Sequence, residues 1–362
     1  MSNTTGELFK VSTFGESHGP CVGCVVDGMP SGFPITEADI DAELARRRPG
    51  QNAFSTPRKE SDAVKIMSGV FEGKTTGAPV MLLINNENAA SKDYENLKNL
   101  YRPSHADFTY AQKYGVRDYR GGGRASARLT AALVAAGALA QKYLKEKAGV
   151  EFLSHTSAVG GLSVNADIPV LKSVTRARIE ASPVRCPYAE EKLMEAEIEA
   201  ARKAGDSVGC VIRGLIKNLP AGLGEPVSGK LSARLAAAVM GINAAKGFEI
   251  GNGFEAARLR GSANNDPFVN AGGKITTENN RNGGVLGGIS TGELVYFNAA
   301  FKPTATIFQP QKTVDENGAP VEFTAGGRHD PCLAARAVPV VDAVCAIAVM
   351  DLFLIRNAYA GH

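Results

Sequence analysis

The chain has 362 residues, of which 44% are hydrophobic and 21% charged, and carries a net charge of +3. That length can bury a large core, and the composition is ordinary for a folded globular protein. The six cysteines (Cys21, Cys24, Cys186, Cys210, Cys332, Cys345) follow no disulfide framework, no uninterrupted apolar run reaches the roughly 18 residues of a spanning helix, and residues 1–10 are polar rather than leader-like. A cytoplasmic protein with no membrane segment is expected.

In chain order, 9–13 reads as a strand and Gly15–Gly19 as a turn. An apolar run, Gly23-Cys-Val-Val-Asp-Gly28, then leads through Pro30 and Gly32 into a helix over 36–47, stopped by Pro49. Strands follow at 64–70 and 80–84, and an alanine-rich helix at 125–147 ends at Gly149. A helix over 187–204 precedes a strand at 208–212. The second run Gly209-Cys-Val-Ile-Arg-Gly214, with Pro220 and Gly222 after it, leads into a helix over 229–245. It echoes the first, either as a duplicated strand–turn–helix unit or as a chance likeness between two turns. A strand at 293–301 and a helix at 341–356 complete the set. Strands and helices do not alternate regularly, which disfavours a (β/α)₈ barrel or a doubly wound sheet. The expectation is a layered α+β fold, one domain spanning 1–362.

Charge is unevenly placed. From Arg46 to Arg128 there are 15 lysines and arginines against 8 acids, a local excess of +7 that exceeds the net charge of the whole chain. These arginines sit beside glycines and histidines in short polar turns, which suits a concave anion site better than a solvated helix face. A pI near 8.4 falls short of the strongly basic surface typical of nucleic-acid binders.

Gly15-Glu-Ser17-His18-Gly19 matches the GxSxG nucleophile elbow in letters, but Pro20 and a β-type run follow it where the elbow needs a helix. The alternative is a glycine-flanked turn that presents Ser17 and His18 to a ligand. Cys21-Val-Gly-Cys24 is formally a CxxC without a second pair, and residues three apart on a strand face opposite sides. Arg46-Arg-Arg48-Pro-Gly50 exceeds what a helix C-terminus needs for its dipole, so one or two of these planar forks can reach carboxylate or phosphate. Arg102-Pro-Ser-His105-Ala-Asp107 sets a cation near an imidazole and offers two metal ligands without an evident third. In Arg120-Gly-Gly-Gly123-Arg124-Ala-Ser126-Ala-Arg128 the glycines admit a close ligand to the backbone, and helical spacing would put Arg124 and Arg128 on one face. It is neither a Walker loop nor a dinucleotide GxGxxG. Leu286-Gly287-Gly288-Ile-Ser-Thr-Gly292 reads as a hairpin-like turn. Lys302-Pro-Thr304-Ala-Thr306 and Gly326-Gly-Arg328-His329-Asp330-Pro331 repeat the theme of glycine, cation and hydroxyl.

Taken in order, these motifs closely resemble the chorismate synthase family, nearly end to end, from Phe14-Gly-Glu-Ser-His-Gly19 through Ile242-Asn-Ala244 to Gly327-Arg-His-Asp-Pro-Cys332. The resemblance implies a layered β-α-β sandwich with internal pseudo-twofold symmetry and assembly as a homotetramer. It implies a lyase that removes phosphate from 5-enolpyruvylshikimate 3-phosphate by anti-1,4-elimination, requiring reduced FMN without net redox change. It also implies an external source of reduced flavin and a nicotinamide-linked (NADP) context. By matching motifs, Arg47, Arg48, Arg102, Arg128 and Arg328 are implied as substrate contacts. Arg124, Ala125, Ser126, Asn243, Ala244, Gly287, Lys302, Pro303, Thr304, Ala305, Thr306 and again Arg328 are implied at the flavin. His18 is implied as a proton donor, His105 as the partner of the flavin pyrimidine edge, and Asp330 as an aid to proton removal through flavin N5. No metal is implied. Ala125 stands where relatives often have serine, and Ala53 where some have an arginine. The rival classes are a phosphate-handling transferase without flavin and a non-catalytic flavin- or nucleotide-binding module.

Overall fold

The computed structural model describes residues 3–50, 62–87, 97–326 and 330–359. Arg328, His329 and Ala53 lie outside the described residues.

Two antiparallel sheets flank a layer of helices. In the first, the strand order is Thr4–Thr5, Lys10–Gly15, Cys21–Asp27, Val80–Asn85, Val64–Ile66. The alternate residues Val22, Cys24 and Val26 of the central strand are fully buried, as are Val80 and Leu82 on the neighbouring strand, because a period of two places them on one face. In the second sheet the order is Leu162–Ser163, His155–Val159, Cys210–Lys217, Val295–Phe301, Ala245–Ile250, with Glu151–Phe152 also pairing to Cys210–Lys217. Both echo segments fold as a strand, a Pro/Gly turn and then a helix: Cys21–Asp27 leads to Glu37–Arg47, and Cys210–Lys217 leads to Leu231–Met240. In each sheet the strand that follows this helix lies at the edge, and the strand after that sits between it and the leading strand. Mixed strand and helix without βαβ alternation makes the fold α+β.

The helix Thr130–Ala148 packs on the first sheet, Ala334–Tyr359 on the second, and the two pack on each other. Their apolar residues run all round rather than along one stripe, as for a helix enclosed on every side. Gly137 makes the crossing close: a Cβ there would lie 2.5 Å from Ala343 Cβ. Ala334–Tyr359 is long and apolar enough to span a membrane although Asp342 and Asp351 interrupt its apolar run, yet 83% of its most apolar window is buried in the protein. Its acids serve the interior. Asp342 accepts from Ser154 N (2.8 Å) and Arg46 Nη2 (3.0 Å), and Asp351 accepts the successive backbone N–H groups of Glu7, Leu8 and Phe9.

Several sequence boundaries shift. The helix expected over 125–147 is preceded by two 3₁₀ turns, Gly123–Ala125 and Ala127–Leu129, and begins at Thr130. The last helix starts at Ala334 rather than 341, because Pro339 is accommodated in its second turn instead of breaking it. The CxxC cysteines lie on one strand three apart. Cys24 is buried, and burial pushes its thiol up to about 12, so it is inert.

Candidate active site

A cavity of about 410 Å³ opens where five segments converge: the Ser17–His18 turn, the end of the Glu37–Arg47 helix, the 102–130 loop, residues 242–244 with 301–306, and the start of the Ala334–Tyr359 helix. That volume is in the usual range for small-ligand sites.

His18 lies in a turn between two paired antiparallel strands, so the GxSxG letters build no nucleophile elbow. Its Nδ1 is 3.0 Å from Ser17 Oγ, and its ring rests against the backbone of Gly121, whose φ is +67°. A Cβ on Gly121 would come within 2.4 Å of His18 Cε1, so only glycine admits the imidazole here.

The 102–107 motif folds around its carboxylate. Asp107 accepts from Arg102 Nε (2.7 Å) and Nη2 (2.8 Å) and lies 2.9 Å from His105 Nδ1, with Arg117 Nη1 at 3.3 Å. Burial would raise this carboxyl, but the bonds from Arg102 and His105 outweigh it and hold the group far below the usual carboxylate range. An ionised Asp107 takes the proton of His105 Nδ1 as a hydrogen bond, which leaves Nε2 to face the cavity beside Gly122. The His-x-Asp pair is therefore an orienting contact, and no group of three or more metal-ligating side chains occurs among the described residues.

A second buried carboxylate organises the far wall. Asp62 accepts from Arg47 Nη1 (2.7 Å) and from Arg128 Nη1, while Arg47 Nε donates to Thr130 Oγ1 (3.0 Å) and Arg128 Nε to Asn86 Oδ1 (2.8 Å). Arg47 is 1% exposed, and its Nη2 is buried with no hydrogen-bond partner among the described residues. Burial, with Arg336 and Arg128 nearby, brings its guanidinium down to about 10 against the pull of Asp62, so it stays charged at neutral pH. A buried, cavity-lining N–H of a cation without an acceptor is costly unless a ligand supplies one.

On the opposite side, Lys302 Nζ donates to Ser104 O (2.6 Å), Asn243 Nδ2 to Ala125 O (2.7 Å) and Thr304 Oγ1 to the carbonyl of Asp330 (3.0 Å). Ala244 holds a left-handed φ of +68° while its carbonyl accepts from Lys302 N, a strained conformation for alanine that clusters at ligand sites.

The cavity thus gathers His18, Arg47, Arg102, His105, Ala125, Ser126, Arg128, Asn243, Ala244, Lys302, Pro303, Thr304, Ala305, Thr306 and Asp330 from the sequence reading. Three residues are placed elsewhere. Arg124 turns away to donate to Gly15 O, Asn3 Oδ1 and Thr13 Oγ1, lining a second hollow of about 340 Å³. Helical spacing to Arg128 fails because Ser126 is extended between two 3₁₀ turns. Gly287 turns the Val285–Leu286/Ile289–Ser290 hairpin and does not line the cavity. Arg48 caps its helix with an extended backbone and is exposed. Sequence reasoning missed Asp62 and Arg336, since neither lies within a glycine-bearing motif.

Against known proteins, the chorismate synthase family profile matches residues 9–354. The chorismate synthase of Opitutus terrae is 50% identical over 100% of this chain and 99% of its own, and that of Christiangramia forsetii 50% over 97% of each. A crystal structure of chorismate synthase superposes with a TM-score of 0.76 at 29% identity, covering 97% of this chain and 93% of its own. With the family profile matching nearly the whole length and half the residues shared with these two relatives, the chain belongs to the chorismate synthase family.

Proposed function

We infer that this cavity carries out the family's reaction, the anti-1,4-elimination of phosphate from 5-enolpyruvylshikimate 3-phosphate to give chorismate in the shikimate pathway, with reduced FMN as cofactor. The observation that carries the reading is Arg47 Nη2, a buried cationic donor lacking an acceptor among the described residues, in a cavity also lined by Arg102, Arg128, Lys302 and Arg336. A substrate with two carboxylates and a phosphate supplies such acceptors, and the planar forks match them.

The opposite wall fits a flavin phosphate chemically. Lys302 brings a cation, and Thr304 and Thr306 bring hydroxyls. Asn243, Ala244, the 125–126 backbone and residues 302–306 would hold FMN, with Arg328 as a further contact. When bound, reduced FMN supplies electron density that helps phosphate depart, with no net change in its oxidation state. Arg47, Arg102 and Arg128, which line the cavity, bind and orient the substrate anions. His18, fixed by Ser17 and Gly121, holds a proton for the reduced flavin or the departing phosphate. His105, fixed by Asp107, aligns the flavin edge through Nε2. Asp330 assists removal of the ring proton.

The matching order of three strands in each sheet, the leading strand and the two that follow its helix, supports reading the sheets as halves of a pseudo-twofold duplication, and the whole chain as one catalytic unit. The homotetramer, the cytoplasmic location, the external source of reduced flavin and the NADP link belong to the same proposal. The test is anaerobic turnover of the substrate followed by chorismate absorbance. Product is expected with reduced FMN and none with oxidised FMN alone. Sustained aerobic turnover with oxidised FMN and no reductant would refute the flavin requirement.

A further inference from the structure

Arg336 belongs to no motif singled out in the sequence, yet it reaches the cavity from the first turn of the Ala334–Tyr359 helix. We propose that Arg336 is a positioning residue for Asp330, fixing the direction in which that carboxylate faces the reacting proton.

Its Nη1 donates to Asp330 Oδ2 at 2.5 Å. The backbone around Asp330 is pinned separately: its carbonyl accepts from Thr304 Oγ1 (3.0 Å), and the carbonyl of Pro331 accepts from Val208 N (2.9 Å). With the main chain held on both sides, the direction of the carboxylate is set by its side-chain contacts, and the short charge-assisted bond from Arg336 restrains that rotation. Both side chains are largely enclosed, 5% and 20% exposed, so the pair is poorly screened by water.

Arg336 also occupies a position that electrostatics disfavours. A cation in the first turn meets the positive end of the helix dipole, and Arg336 lies close enough to the buried Arg47 to repel it. A residue kept against both penalties is explained by what it holds. A proton acceptor displaced by about 1 Å can lose roughly 10²-fold in rate, which makes a rigid Asp330 worth the placement.

The proposal rests on the elimination reading and on Asp330's part in it, and its test separates the two. Steady-state kinetics with reduced FMN and substrate would be measured for Arg336→Met, Arg336→Lys, Asp330→Asn and the double variant Arg336→Met/Asp330→Asn. Arg336→Met is expected to lower kcat by roughly 10–10²-fold with KM within about threefold. Arg336→Lys, which keeps a cation beside Asp330, is expected to recover most of that loss. It also serves as the folded comparison should the Met variant prove unstable. On the Asp330→Asn background, Arg336→Met should cost less than about twofold, because the two act as one unit. Independent, multiplying losses in the double variant would overturn the proposal. So would a raised KM with unchanged kcat, which would make Arg336 a direct anion contact. A slow Asp330→Asn enzyme beside an unimpaired Arg336→Met enzyme overturns the positioning role alone. Unchanged turnover in Asp330→Asn overturns the role of Asp330 and this proposal with it.

Discussion

Replacing Asp62 with Asn tests how the anion wall is built. The Asp62 side chain is fully enclosed and bridges two guanidiniums, Arg47 Nη1 at 2.7 Å and Arg128 Nη1. Burial alone would raise its carboxyl, but Arg47 and Arg128 bring it from 3.8 down to about 2. A carboxyl lowered in the fold contributes stability that is fully present above 3.8 and is lost as pH falls toward 2. A fall of that size is worth on the order of 2 kcal/mol. Asn keeps the shape and one acceptor but leaves two buried cations without their counter-charge, and breaking such a pair costs roughly 3–5 kcal/mol. Part of that cost should be recoverable by any anion that enters the cavity. Urea unfolding of wild type and Asp62→Asn, each with and without millimolar inorganic phosphate, therefore has a definite pattern. In buffer without polyvalent anions the variant is expected to be less stable by about 3 kcal/mol. Phosphate should stabilise the variant more than the wild type, because it restores negative charge beside Arg47 and Arg128. A deficit under about 1 kcal/mol, or an equal phosphate increment in both proteins, would refute the view that Asp62 balances an anion-binding pair.

Arg47→Lys cannot reproduce a fork that bonds Asp62 and Thr130 while presenting Nη2, so substrate affinity should fall by roughly 1.5–3 kcal/mol, about tenfold to 150-fold in Kd by calorimetry. Gly121→Ala places a Cβ 2.4 Å from His18 Cε1 at a φ of +67° and should displace the imidazole. A rate loss of roughly 10²-fold, similar to that of His18→Ala, is expected in single-turnover assays; wild-type rates would show that His18 is not held by this contact. His155 is buried against Tyr188 OH (2.7 Å), and burial lowers it to about 3, so it folds neutral. The unfolded chain binds its proton below about 6.5, so stability falls as pH drops from 7 to 5, by about 2 kcal/mol for this group. In His155→Gln the drop in urea-derived stability over that interval should be smaller by the same amount, and an unchanged pH dependence would contradict a buried neutral imidazole.

Local chemistry carried much of the reading from sequence. The runs around Gly23–Gly28 and Gly209–Gly214 are short, apolar and β-type and lead into Pro/Gly turns, and both lie in central strands that lead to helices. The turns bearing His18, Arg102, His105, Arg128, Lys302 and Asp330 were visible because glycines, cations and hydroxyls recur there within a few residues, and the fold brings them to one cavity. What only the tertiary structure decided is the direction and pairing of long side chains. Arg124 and Arg128 are four apart, but an extended Ser126 sends one guanidinium to Gly15 and the other to Asp62. Asp62 is 66 residues from Arg128 in the chain, and Arg336 reaches Arg47 across almost the whole of it, so no local pattern could join them. Desolvation is a property of the assembled core. The enclosure that leaves Arg47 Nη2 without an acceptor among the described residues, and makes it a demand for a ligand, arises only when the helix layer closes over residues that a sequence window sees as an ordinary basic turn.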